Sequence, residues 1–396
     1  MKRQGLGALG LATCRGIAPR SGSSQSSLFH QPWLSQSPSR LFSVGGPTPF
    51  RGLLPPITIP FTASAEGDES VDYEALAANV ALYSQSSRGL SGLVVLGSNG
   101  EFPSLTASEK VQVLTTAKKV VEAEHAPQDR KDFRMIAGTG CVSTKETIQL
   151  TQEAAALGYD AAMIVTPYYF TDKMNDKQLL RHYERVASAS SIPIILYNVP
   201  PLAGGVKMSL SLIKELAAHP NIVGIKDTTG SIVQLAQLVE HIKRPLQRAK
   251  AGKDFAVLAG SGAFFLQALT VGADGGVMAL ANLYPEELRH LHELFLAATT
   301  TTTNDEEKQK KNKQKDSKQL LKEAMQLQSI LVDINQLVTA EMGPPAVKRA
   351  LDLQGRGFVG GASRLPLLPL SPAEEAKLKA TLDDTAARLG SFFSSS

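Results

Sequence analysis

Only two cysteines, Cys14 and Cys141, occur in 396 residues. With Cys14 close to the N-terminus, a disulfide framework is excluded and a reducing compartment is expected. No apolar stretch approaches the ~20 residues that a helix needs to cross a bilayer, so no membrane association is expected. Phosphate-cradling and acyl-transfer signatures are also missing. No Gly-rich dinucleotide fingerprint follows the first candidate strand, there is no Walker A sequence, and Gly260-Ser261-Gly262 is too short for a Gly-x-Ser-x-Gly nucleophile elbow. The seven histidines (His30, His125, His182, His219, His241, His290 and His292) are scattered. His290 and His292, two apart, do not share a helix face. They read as surface residues, and neither a metal nor a cofactor is expected.

Acidic residues are absent from residues 1–50, which hold Lys2, Arg3, Arg15, Arg20 and Arg40. Removing those five leaves 36 basic against 37 acidic residues in the remainder, a net charge of −1. The overall +4 therefore belongs to the leader, and no nucleic-acid partner is expected. A leader rich in Ser and Arg and free of acids fits a transit peptide, with the mitochondrial matrix as the expected destination. A disordered, unprocessed tail is the alternative.

The body is ordinary in composition, 43% hydrophobic and 20% charged. From Gly52 onward, short apolar runs alternate with amphipathic stretches. Strands are expected at Leu53–Phe61, Gly92–Gly97, Met135–Gly140, Ala161–Pro167, Ile192–Pro200, Ile222–Asp227, Phe255–Ser261 and Gly275–Ala281. Helices are expected at Tyr73–Ser84, Ser108–Glu124, Thr144–Leu157, Asp176–Ser188, Ser209–Ala218 and Ser231–Ile242. Eight strands alternating with helices predict an α/β fold, a (β/α)8 barrel over residues 51–298. A doubly wound open sheet is the competitor. Residues 299–318, five threonines leading into a tract with six lysines, read as a solvated low-complexity insertion. Additional C-terminal helices are expected over 319–390, with Pro344 and Pro345 at one helix start and Ser371 capping the last.

Lys226 lies in the apolar run Ile222-Val223-Gly224-Ile225-Lys226-Asp227. An ammonium in a buried strand must pair or give up its proton, and a neutral lysine is a nucleophile toward carbonyl carbon. A lysine snorkelling from a strand end fits the position too. Other distinctive residues fall where a parallel barrel places its active site, at the C-terminal strand ends. They include Gly97-Ser98-Asn99-Gly100-Glu101, Thr166-Pro167-Tyr168-Tyr169, Tyr197-Asn198-Val199-Pro200 and Gly260-Ser261-Gly262. A tyrosine hydroxyl oriented by a second hydroxyl can relay the protons of imine formation. The Ser98-Asn99-Gly100 turn offers N–H groups and a hydroxyl to a substrate carboxylate. Taken singly, these segments also fit a plain βα turn, a core aromatic and an interface pair. Cys141, after the third strand, reads as a buried, inert thiol.

In that order, these motifs, with Pro60-Phe61-Thr62 and Gly224-Ile225-Lys226-Asp227, resemble the dihydrodipicolinate synthase/N-acetylneuraminate lyase family of Schiff-base (class I) aldolases. The resemblance runs from about Gly52 to the C-terminus. It implies a small 2-oxo acid as substrate, Lys226 as the Schiff-base lysine, Tyr197 as proton relay, and Ser98 as relay and carboxylate ligand. Asn99, Gly100, Thr228, Gly260 and Ser261 would line the substrate site. Tyr169 would be contributed to a neighbouring subunit, so a homotetramer is implied. Ser98-Asn99 in place of Thr-Thr is similar to the branch that cleaves 4-hydroxy-2-oxoglutarate to pyruvate and glyoxylate. Synthases place an arginine at the position of Leu202 to hold a second carboxylate, and an apolar residue there points away from lysine biosynthesis. It leaves the distal carboxylate of 4-hydroxy-2-oxoglutarate without an assigned holder. Aldolases of 2-keto-3-deoxy sugar acids, a synthase, and a barrel that binds an oxo acid without turnover are the alternatives.

Overall fold

The computed structural model describes residues 50–62, 69–85, 88–125, 132–249, 253–299 and 317–395. The expected leader apart from Phe50, which is buried in the barrel, and the insertion apart from Thr299, Ser317 and Lys318, which are helical, lie outside the described residues. Eight parallel strands form one sheet: β1 (Gly52–Leu53), β2 (Gly92–Val95), β3 (Arg134–Gly138), β4 (Ala161–Val165), β5 (Ile194–Asn198), β6 (Ile222–Asp227), β7 (Ala256–Ala259) and β8 (Gly275–Gly276). Their order is β1-β8-β7-β6-β5-β4-β3-β2. The ring closes between the two outer strands, where Ile57 N–H donates to Val94 O (3.0 Å) and Val94 N–H donates to Pro55 O (2.9 Å). This is the expected (β/α)8 barrel.

The barrel helices are α1 (Tyr73–Ser84), α2 (Ala107–Glu124), α3 (Thr144–Ala156), α4 (Asp176–Ala189), α5 (Leu210–Ala217), α6 (Ile232–Leu238), α7 (Arg244–Arg248), α8 (Phe265–Thr270) and α9 (Pro285–Thr299). Three more follow: α10 (Ser317–Asn335), α11 (Pro344–Gln354) and α12 (Pro372–Ser395). Local chemistry sets their starts. Thr106 and Glu109 form a reciprocal capping box on α2. Pro344 and Pro372 occupy first helical positions, where the missing N–H costs nothing. At α12, Ser371 N–H donates to Glu374 Oε2 (2.8 Å) while Ser371 Oγ accepts from Glu374 N–H (3.3 Å).

The sixth strand has its expected bounds, and the other seven are shorter at their C-terminal ends than expected. Pro55, Pro56 and Pro60 deny β1 the donors of a ladder, and elsewhere the tails of the apolar runs form the turns that carry the candidate site. Two cores result. One fills the barrel interior with Leu54, Val94, Ile136, Met163, Ile195 and Leu258, and the other packs strand backs against helices. The C-terminal helices are pinned to the barrel mouth through α10. Gly262 N–H donates to Asn335 Oδ1 (3.1 Å), and Leu266 N–H donates to Gln328 Oε1 (2.8 Å).

The expectation of surface histidines needs correction for two of the six among the described residues, His30 lying outside them. His182 on α4 and His219 after α5 are buried. The His182 ring is bonded to the Thr144 hydroxyl (2.9 Å), and burial pushes its pKa down to about 4. Both sit at seams between helices: His182 meets Thr144 of α3, and the His219 ring is bonded to the Ser188 hydroxyl of α4 (3.2 Å). Among the described residues no cluster of His, Cys, Asp or Glu could hold a metal ion, and no helix is long and apolar enough to cross a membrane.

Candidate active site

Side chains alternate along a strand, and this alternation sorts the ends of β5 and β6 into two functions. Tyr197 pairs with Lys226 in the parallel register, and both point into the barrel. Tyr197 belongs to the interior cluster, and the Lys226 Nζ lies 4.0 Å from its ring centroid. Lys226 is 3% exposed, and among the described residues no carboxylate stands within ion-pair distance of it. The face of an aromatic ring attracts a cation without neutralising it, so the amine is held over Tyr197 and left free to react.

The neighbouring residues, Asn198 and Asp227, point the other way. The buried Asp227 carboxylate accepts from Asn198 Nδ2 (2.8 Å), Gln234 Nε2 (2.7 Å), Thr229 N–H (3.0 Å) and the Thr229 hydroxyl. Asn198 Oδ1 in turn accepts from Met208 N–H (3.1 Å). These bonds lock the two strand ends together behind the site. They also occupy the nearest carboxylate, so Asp227 serves as a fastening for Lys226's strand rather than as its counter-ion.

Ser98 arrives from β2. Its hydroxyl lies 3.2 Å from the Tyr197 hydroxyl, in a single helical turn, Ser98–Gly100. Gly138 is required here, because a Cβ at that position would lie 2.0 Å from the Leu96 carbonyl oxygen. Lys226, Tyr197 and Ser98 thus form a line of amine, ring and two hydroxyls, which is what imine formation needs: a nucleophile and a path for the protons.

The remaining expected residues divide. Thr228 follows the lysine by two residues, and its buried hydroxyl has no hydrogen-bond partner among the described residues. Gly260 leaves room for it, since a Cβ there would fall 1.9 Å from Thr228 Oγ1. The buried Nδ2 of Asn99 likewise lacks a partner. The Gly100 N–H donates to Gly97 O (3.0 Å) inside the turn. The backbone donors left in the turn are those of Ser98 and Asn99. The Ser261 oxygen accepts from Ala263 N–H (3.3 Å) and from Asn335 Nδ2 (3.0 Å), tying the β7 end to α10, and the proton of its hydroxyl is committed to neither bond. Tyr169 is 72% exposed, stacked edge-on to Phe170, and is not part of this line within one chain. Cys141 is buried, and desolvation pushes its thiol up to about 12, as expected for an inert thiol.

One buried hydroxyl, that of Thr58, escaped sequence reasoning, and that of Thr166 was singled out only within its strand-end motif. Both residues have no exposed surface, and among the described residues neither hydroxyl oxygen has a hydrogen-bond partner. Ile57 and Ile59 face the helix layer, so alternation turns Thr58 inward. A polar residue between two isoleucines in Pro56-Ile57-Thr58-Ile59-Pro60 was the available signal.

The sequence matches the dihydrodipicolinate synthetase family over residues 49–385. It is 34% identical over 333 residues to 4-hydroxy-tetrahydrodipicolinate synthase from Methanothrix thermoacetophila, covering 84% of this chain and 96% of that protein. It is 33% identical over 334 residues to the synthase of the same name from an Exiguobacterium species, covering 84% and 97%. Among solved structures, the 4-hydroxy-tetrahydrodipicolinate synthase of Methylacidiphilum fumariolicum SolV superposes with a TM-score of 0.70 at 30% identity, covering 87% of this chain and 98% of that one. YagE, a prophage protein of the dihydrodipicolinic acid synthase family from E. coli K12 solved in complex with pyruvate, gives 0.69 at 28% identity, covering 85% and 99%. With eight parallel strands, an interior lysine and a match spanning nearly the whole described barrel, the chain belongs to the dihydrodipicolinate synthetase family.

Proposed function

We propose that this family member is a Schiff-base lyase that cleaves 4-hydroxy-2-oxoglutarate to pyruvate and glyoxylate. The observation that carries the reading is the Lys226 amine, buried over the Tyr197 ring with no carboxylate partner among the described residues and a Ser98–Tyr197 hydroxyl pair beside it. The neutral amine attacks C2 of the oxo acid, the carbinolamine loses water with protons relayed through Tyr197, and a protonated imine results. Removal of the C4 hydroxyl proton then breaks the C3–C4 bond. The electron pair moves into the imine to give an enamine, and glyoxylate leaves. Protonation at C3 and hydrolysis release pyruvate and restore the amine. A relative solved with pyruvate supports a pyruvate-derived imine.

Leu202 counts against the arginine-held carboxylate of the synthase reaction, and it equally leaves the distal carboxylate of 4-hydroxy-2-oxoglutarate without a side chain assigned to hold it. This residue is 63% exposed on the turn Pro200–Leu202 after β5, and an alkyl side chain there gives no bidentate grip on a second carboxylate. The second reading, a synthase that condenses the pyruvate enamine with an aldehyde, is favoured by the printed names of the relatives. The deciding experiment follows pyruvate released from 4-hydroxy-2-oxoglutarate and from a 2-keto-3-deoxy sugar acid. Alongside, it follows pyruvate consumed with aspartate semialdehyde. Fast release from the first substrate alone is the expected result. Preference for the sugar acid, or consumption of pyruvate, reassigns the substrate within the same chemistry. No turnover in any arm leaves an oxo-acid-binding barrel.

Two further parts of the reading rest on the resemblance and on composition. Tyr169 completes the relay of a neighbouring subunit in a homotetramer, and its exposure beside Phe170 supports that assignment. The acid-free leader addresses the chain to the mitochondrial matrix, which import into isolated mitochondria with loss of the leader would test.

A further inference from the structure

The turn that carries Ser98 is held in an unusual way. It is bracketed by Leu96 (φ 63°) and Glu101 (φ 48°), the two non-glycine residues with positive φ among those described. A left-handed conformation is unfavourable for an ordinary L-residue because of its Cβ and persists only when its surroundings enforce it. The surroundings of Glu101 are charged and dry. Its carboxylate, 1% exposed, meets the equally buried Lys348 Nζ of α11 at 2.5 Å, and its second oxygen accepts from Arg364 N–H (2.9 Å). Lys348 also donates to Ala362 O (2.7 Å) and lies 4.4 Å from the Phe61 ring centroid. The Arg364 guanidinium covers the same ring at 4.5 Å, grips both oxygens of Glu109 (2.9 and 2.8 Å) and donates to Ser104 O (2.9 Å). The backbone of Glu101 closes the turn, its N–H donating to Ser98 O (3.1 Å) and its carbonyl accepting from Ser104 N–H (2.8 Å).

Burying an ion pair is a poor way to gain stability, since desolvation offsets the Coulomb gain. A hydrophobic pair would fill the same space. What the charges add is direction: Glu101 can satisfy Lys348 and the Arg364 backbone together only from the left-handed conformation, which fixes the turn that presents Ser98 to Tyr197. We propose that Glu101 and Lys348 are positioning residues for the proton relay, through which the C-terminal helices set the 3.2 Å Ser98–Tyr197 contact. The inference rests on the imine reading above and deepens it.

The test uses the full chain carrying Glu101→Gln, and a second variant, Glu101→Gln with Lys348→Met, which leaves no unpaired buried cation and carries the test if the first fails to fold. Borohydride reduction after long incubation with pyruvate counts folded sites with a reactive Lys226. The rate of imine formation and kcat for pyruvate release are then expressed per trapped site. The expected result is that both rates fall at least about tenfold while KM stays within about threefold. Adding Ser98→Ala to either variant then lowers kcat little further, because the relay is already misplaced. Per-site rates equal to the wild type in the folded variants overturn the positioning role, whatever happens to Tm. Failure of wild-type Lys226 to be trapped at all sinks the imine reading instead, so the two failures are distinguishable.

Discussion

Tyr197 and Lys226 stand opposite each other in the register of β5 and β6, with the ammonium 4.0 Å from the ring centroid. One aromatic residue therefore does two things. Its ring face receives the amine, and its hydroxyl, 3.2 Å from Ser98, leads the proton path away. The next residue on each strand, Asn198 or Asp227, is committed to the hydrogen-bond set behind the barrel, so the site and its fastening are built from adjacent positions on the same two strands.

Lys226→Ala is expected to abolish pyruvate trapping by borohydride and to reduce turnover by at least roughly a thousandfold, as loss of a covalent nucleophile does. The fold should survive, because the substitution removes a buried charge without orphaning a partner. Mass spectrometry of the reduced protein checks the first point and thermal unfolding the second. A variant still labelled by pyruvate would place the imine on a different lysine.

Tyr197→Phe keeps the ring under Lys226 and deletes only the hydroxyl. It should lower kcat by about 10²–10⁴ with little change in KM, the range lost when a positioned acid–base group is removed. Ser98→Ala should cost less. The double variant should cost about as much as Tyr197→Phe alone, since both hydroxyls act as one unit. Steady-state kinetics of the three variants decide it, and additive losses would mean that the two hydroxyls serve separate steps.

The barrel was legible because its signal is repeated eight times: each β-run is short and apolar, and each intervening stretch has helical periodicity. Lys226 was legible for the opposite reason, as the charge that breaks such a run. Strand ends were less so, because apolarity continues past the last ladder bond into turns such as Thr166-Pro167. Gly100 and Ser261 show a further limit. A Ser-Asn-Gly turn has donors in any sequence, but which of them are consumed inside the turn depends on φ and ψ, and which hydroxyl becomes a cap depends on a helix some seventy positions away, where Asn335 sits. The Glu101–Lys348 pair joins residues 247 positions apart, and neither residue carries a local sign of the other.

Asp227→Ala should destabilise the protein without touching the chemistry directly. Asn198, Gln234 and Thr229 would lose an acceptor at a largely buried position, at a cost of about 2–4 kcal/mol. Urea unfolding measures the loss. Lys226 should still be trapped by pyruvate in the fraction that remains folded, whereas a folded variant that is never trapped would make Asp227 a participant in imine formation.

A pH dependence of stability is expected from His182. Burial lowers its folded pKa to about 4 against about 6.5 in an unfolded chain. Between those values the unfolded state binds a proton that the folded state does not, so stability rises with pH across this window. The contribution is complete above pH about 6.5 and is lost progressively as pH falls to about 4, on the order of 3 kcal/mol in all. His182→Gln fills the site, can still reach the Thr144 hydroxyl and does not titrate. Urea midpoints of the wild type and this variant, measured from pH 8 to pH 4, should run parallel above neutrality. They should diverge below pH 6.5, with the wild type losing more. Parallel curves down to pH 4 would mean that His182 takes up its proton inside the fold as readily as in the unfolded chain, and that the α3–α4 seam admits water.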